Sequence, residues 1–135
     1  GASTAETAQR PLYVQVYIHQ PLEGYTYLFN RPILETPFEK LWYNGLRGLT
    51  VIFGGKTIMR TEVISTEPIR YVIFCVDGRF TVWDSEPPYE WTIKGVYLPL
   101  LGKHTLEAFA YTTTGKVASD EMDVYIVDLS VMYKG

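Results

Sequence analysis

Val72-Ile73-Phe74-Cys75-Val76-Asp77-Gly78-Arg79-Phe80-Thr81-Val82-Trp83 reads as two strands folded back on one another. Apolar residues lead into Asp77-Gly78, and a β-branched and aromatic run leads out of it. A two-residue type I′ turn needs positive φ at both central positions, and Asp-Gly tolerates this. The stretch therefore predicts a hairpin with arms over residues 69–76 and 79–83.

Working outward, the same signals recur. Pro87-Pro88 blocks a ladder and opens a new strand over residues 89–94. Leu100-Leu101-Gly102 reads as a turn. Residues 103–112 and 118–127 then form a last hairpin around Thr113-Thr114-Gly115-Lys116. Upstream, Leu12, Val14, Val16 and Ile18 alternate with Tyr13, Gln15, Tyr17 and His19, which is the period of a strand with one buried face. A turn over residues 20–24 leads into a short aromatic strand over residues 25–29. Residues 49–53 and 56–64 are also strand-like. Between them, Pro32, Pro37, Gly45 and Gly48 interrupt any regular pattern. Residues 30–48 are expected to form a long irregular loop with one helical turn over residues 38–41, and a loop this long is often functional. No segment of helical period competes. Turn signals about every 10 residues predict an all-β, antiparallel β-sandwich.

Bulk properties narrow the role. The chain has 135 residues, enough for one domain with a substantial core. Residues 1–11 read as a tag remnant, Gly1-Ala2-Ser3, followed by a flexible arm. Residues 12–135 read as a single domain, cut from a longer protein. A net charge of −3 and a pI near 5.3 argue against a nucleic-acid partner, which calls for a basic face. No stretch has the apolar length for insertion into a membrane as a helix. The single cysteine, Cys75, leaves no internal disulfide. Its setting between Phe74 and Val76 suits a small apolar residue better than a reactive thiol.

Four ordered landmarks carry a resemblance. They are Val76-Asp77-Gly78, then Asp84-Ser85-Glu86-Pro87-Pro88-Tyr89-Glu90-Trp91, then Gly102-Lys103-His104-Thr105-Leu106 with its Ala110-Tyr111 step, then Ala118-Ser119-Asp120. Over residues 57–128 the chain resembles the bacterial and archaeal Ig-like modules of secreted and cell-surface proteins. Tyr27-Leu28-Phe29-Asn30-Arg31-Pro32-Ile33 also looks like a segment preceding some archaeal members. The resemblance implies an immunoglobulin-like antiparallel β-sandwich, extracellular or at the cell surface, that spaces or docks other domains. The stretch over residues 33–48 departs from the pattern and puts a simple seven-strand picture in doubt. In such sandwiches a tyrosine can bond back to backbone near a corner, a role Tyr111 could take. Tyr89, Trp91 and Ile93 should face the core, with Ala108 and Ala110 making room for the indole.

Site chemistry is sparse. His19 and His104 have no third ligand at a metal-binding spacing. Ser119, His104 and Asp120 offer the residue types of a hydrolytic triad without a nucleophile elbow. No cofactor is expected. Calcium is the exception worth testing, because Asp84, Glu86, Asp120, Glu121 and Asp123 lie near strand ends and hard cations favour oxygen clusters. The aromatics carry more weight: Tyr13, Tyr17, Trp42, Tyr43 and Trp83 are the candidate interaction residues, since their rings are apolar and their tips polar. The leading expectation is a non-catalytic structural spacer or protein-docking domain. Its partners would be neighbouring domains of the same chain, another protein, or a second copy through an uncovered strand edge. A carbohydrate-binding module on a polysaccharide-degrading enzyme is the alternative, and it requires coplanar exposed rings at Trp42, Tyr43 and Trp83. A hydrolase would instead need a cleft holding His104 beside a carboxylate.

Overall fold

The strand that opens the predicted hairpin is the densest part of the core, and the rest of the fold is built around it. The computed structural model describes residues 12–36, 49–54, 57–93 and 101–127. Ten strands run in chain order: β1 (Val14–Gln20), β2 (Tyr25–Leu28), β3 (Arg31–Glu35), β4 (Val51–Phe53), β5 (Ile58–Ser65), β6 (Ile69–Val76), β7 (Arg79–Asp84), β8 (Glu90–Thr92), β9 (Leu101–Thr112) and β10 (Val117–Val127). They form a three-stranded sheet, β1-β5-β8, and a seven-stranded sheet, β3-β2-β4-β10-β9-β6-β7.

The two sheets bury their facing sides. On β9 the even-numbered residues from His104 to Thr112 point inward and are buried, while the odd-numbered ones point outward. Val72, Phe74, Leu106, Ala108, Ala110, Val124 and Met59 have essentially no exposed surface. Trp91 and Ile93 join them from the β8 side of the smaller sheet, to which Met59 also belongs, and the Phe74 and Trp91 rings sit 6.4 Å apart. The small side chains of Ala108 and Ala110 lie in this same inner layer, as expected for a core that accommodates an indole. The β6–β7 hairpin turns at Asp77 (φ 53°) and Gly78 (φ 78°), the two positive angles that its sequence predicts.

The sandwich proper consists of β1 and β5–β10. Within it β1-β5-β8 and β7-β6-β9-β10 occupy the two sheets in the manner of an immunoglobulin-like fold. The segment between β1 and β5 adds three more strands. β4 runs parallel to β10, pairing Val51–Phe53 with Tyr125–Val127, and parallel to β2 on its other side. β3 then closes the sheet antiparallel to β2. A seven-strand picture is therefore too small, and the reason is this insertion.

Several expectations need correction. Residues 31–35 are not irregular but form β3, where Pro32 is tolerated because the strand is an edge with every residue exposed. Leu101 and Gly102 are not a turn. They extend β9, because β10 pairs with it as far as Val127↔Leu101 and draws the strand out. The tyrosine that returns to backbone is Tyr27 rather than Tyr111: the buried Tyr27 Oη accepts the Leu22 N–H at 2.8 Å. Tyr111 lies one residue out of phase with Ala108 and Ala110 and faces outward. The expected helical turn over residues 38–41 falls outside the described residues.

Candidate interaction surface

The outer face of the seven-stranded sheet carries a row of aromatic side chains, and strand register explains how they meet. Tyr71 pairs with Tyr111 across β6 and β9, and Ile73 with Phe109. On the other side Ile73 pairs with Trp83 and Cys75 with Phe80 across β6 and β7. Phe80 and Trp83 are three residues apart, so strict alternation would send them to opposite faces. A register shift between Phe74 and Cys75 leaves one extra residue on β7 and turns both rings to the same face.

The rings touch at steep angles. Tyr71 meets Trp83 edge-to-face, with centroids 5.7 Å apart and planes at 90°. Tyr71 and Tyr111 are 5.3 Å apart at 55°. The Arg70 guanidinium lies 5.9 Å from the Tyr71 ring centre, within cation–π range. Tyr71, Ile73, Phe80 and Trp83 line an open depression of about 300 Å³. Phe80 is 62% exposed and Trp83 57%. Rings this exposed, side by side on one sheet face, are unusual unless something covers them.

Trp83 is thus the sequence candidate that sits in the patch. Tyr13 and Tyr17 are both exposed, but they belong to the β1 side of the other sheet. Tyr17 lines a separate open depression of about 430 Å³ with Ile18, His19, Leu22, Glu23 and Glu62. The structure therefore divides the predicted aromatic set between two faces. Trp42 and Tyr43 lie outside the described residues. Tyr71, Phe80 and Tyr111 were missed because the β7 bulge and the true phase of β9 decide which way they point. The signal available in the sequence was the presence of Tyr71, Phe80 and Trp83 on the two arms of one hairpin.

The polar candidates are dispersed into structural work. His104 is 5% exposed, and its Nδ1 lies 2.5 Å from Asp77 Oδ2. Asp77 Oδ1 also accepts the Thr105 N–H at 2.9 Å. Burial tends to raise the Asp77 carboxyl pKa, but the bonds from His104 and Thr105, with the nearby positive charge of Arg79, take it below the ordinary value. The pair pins the β6–β7 turn onto β9. Ser119 lies about 17 Å along the strand from the residue opposite His104, so no triad assembles. His104 sits beside a carboxylate but in the core rather than in a cleft.

The carboxylates are equally separate. Asp84 accepts the backbone N–H groups of Glu86 and Glu90, shaping the β7–β8 connection. Asp120 accepts the Ile18 N–H at 2.8 Å, tying β1 to β10 across the two sheets. Asp123 pairs with Lys103 and accepts the Thr105 hydroxyl. Among the described residues no group of three or more His, Cys, Asp or Glu side chains could hold a metal ion. Burial, then the Glu107 carboxylate, pushes the Cys75 thiol up, so it behaves as a packed residue.

No protein-family model matches the chain, and no curated protein matches it in sequence. In structure it is similar to the fibronectin(III)-like modules of Clostridium thermocellum CbhA, with a TM-score of 0.58 and 16% identity over 89% of this chain. The chain spans half the length of that structure. At this identity the likeness concerns fold alone: two sheets, the β1 and β5–β10 frame, and the core between them make this chain an immunoglobulin-like β-sandwich.

Proposed function

We propose that the chain is a non-catalytic module of a secreted or surface-attached prokaryotic protein, which docks a protein partner through the outer face of its seven-stranded sheet. The observation that carries this reading is the exposed cluster of Phe80 and Trp83 beside Tyr71 and Ile73. Aromatic anchors in an apolar depression with an Arg nearby are the composition of protein-interface centres. The core position of His104, and the separation of Ser119 from it, favour docking over hydrolysis. The fold likeness to fibronectin(III)-like modules of a Clostridium protein supports the reading as a module of a larger prokaryotic protein.

Sugar binding is less well supported. A pyranose ring needs a flat apolar platform, and the described rings cross at 90° and 55°. The test replaces Trp83 with a photo-crosslinking phenylalanine analogue in the protein as its native cells produce it. Crosslinks to one defined protein, with this chain found in the secreted or surface fraction, are expected. Crosslinks confined to polysaccharide would reverse the choice between the two readings, and a cytoplasmic location would sink the surface assignment.

A further inference from the structure

Among the described residues the sandwich has four sheet edges, and three of them carry features that disfavour further pairing. β3 is exposed along its whole length but carries Pro32, which has no N–H to offer. β8 is three residues long, too short to template another strand. β1 is turned toward β10, with its Ile18 N–H already bonded to Asp120. β7 is the fourth edge. Its six residues have no strand partner beyond β6 among the described residues, and they include neither proline nor lysine.

The β7 sequence is complementary to itself. It reads Arg79-Phe80-Thr81-Val82-Trp83-Asp84. Laid antiparallel against a second copy about the Thr81–Val82 midpoint, Arg79 meets Asp84, Phe80 meets Trp83 and Thr81 meets Val82. Every cross-strand pair is then a favourable type: opposite charges, two aromatics, two β-branched side chains. The bulge matters here, because it places Phe80 and Trp83 on one face, so both aromatic pairs form on the same side of the joined sheets. Both copies carry the extra residue at the same place, so this register needs no further irregularity. The Asp84 carboxylate accepts one bond each from the Glu86 and Glu90 N–H groups, which leaves acceptor positions for a guanidinium. A parallel arrangement would set Arg79 against Arg79 and Asp84 against Asp84, so charge selects the antiparallel one.

We infer that two copies of this chain associate through a two-fold, antiparallel β7–β7 contact that joins their seven-stranded sheets and sets the Phe80 of each copy beside the Trp83 of the other. The inference rests on the docking reading and names the partner as a second copy.

Sedimentation velocity over a wide concentration series tests it. The unaltered chain is expected to show a reversible monomer–dimer equilibrium that weakens as salt rises, because the Arg79–Asp84 pairs are at the rim. Trp83→Lys and Phe80→Lys, both at exposed positions, are each expected to raise the dissociation constant at least tenfold, and Arg79→Asp to weaken it less. Circular dichroism of each variant confirms that the sandwich is intact. A chain that stays monomeric at every concentration overturns the inference, and so does a dimer that the two lysine variants leave untouched. A monomer whose position 83 still crosslinks to a different protein overturns the second-copy partner and leaves the docking reading standing. A monomer without crosslinks removes both.

Discussion

Tyr27→Phe isolates one hydrogen bond between β2 and the β1–β2 connection, where the chain leaves the sandwich proper for the inserted strands. The Tyr27 ring is 1% exposed, so phenylalanine fills the same space, and only the Oη that accepts the Leu22 N–H at 2.8 Å is lost. A net intramolecular hydrogen bond contributes about 1 kcal/mol, and an N–H left dry costs more. Leu22 is itself well exposed, so water can reach the freed group, and the expected loss is about 1–1.5 kcal/mol. For a chain of this size that lowers Tm by roughly 3–5 °C. Tyr27→Ala removes the buried ring as well and should cost about 3–5 kcal/mol. The assay is urea unfolding followed in parallel by tryptophan fluorescence, to which the buried Trp91 contributes, and by far-ultraviolet circular dichroism. Both probes should move together with an unchanged slope. If Tyr27→Ala left the fluorescence midpoint where it was, β2–β4 would not unfold with the core, and one cooperative unit would be the wrong description.

Three further outcomes follow from the same packing. The Asp77 pKa is lowered in the fold, so its stabilising contribution is present above the ordinary carboxylate value, about 3.9, and is lost as pH falls through the lowered folded value. Asp77→Asn should therefore be less stable than the parent chain at neutral pH, with the gap narrowing in acid unfolding curves below about pH 4. Gly54 (φ 75°) and Gly78 (φ 78°) both hold a left-handed backbone, but a Cβ at Gly54 would run into the Phe29 ring while one at Gly78 meets nothing. Gly78→Ala should cost about 1 kcal/mol and Gly54→Ala about 2 kcal/mol by chemical denaturation, the excess reporting the ring that must swing aside. Phe74→Ala empties a fully buried site beside Trp91 and should cost about 3–5 kcal/mol, with a shift in tryptophan emission.

What the sequence revealed, and what it hid, divides along the range of the interactions involved. The Asp77-Gly78 turn, the alternation of β1 and the long final hairpin are local signals, and each appears in the structure where the residues place it. Trp91 and Ile93 reach the core because an inward phase is readable from neighbours two residues away. β3 was hidden because Pro32 argues against a strand until an edge position is known. The outward aromatics were hidden for a different reason. One extra residue on β7 reverses the phase between Phe80 and Trp83, and nothing in the chain announces a bulge. The roles of Asp77, Asp84 and Asp120 were equally illegible, since their bonds go to backbone groups or a core histidine brought close only by the fold.

The insertion between β1 and β5 has a mechanical consequence. In a simple sandwich the last strand is flanked on one side and can be peeled away one bond at a time. Here Tyr125–Val127 of β10 is laddered to β4 on one side and to β9 on the other. A force applied at Val127 along the strand axis would shear both ladders together. Bonds loaded side by side share the force, whereas bonds loaded in series fail in turn. β4, backed by β2, therefore clamps the end of β10.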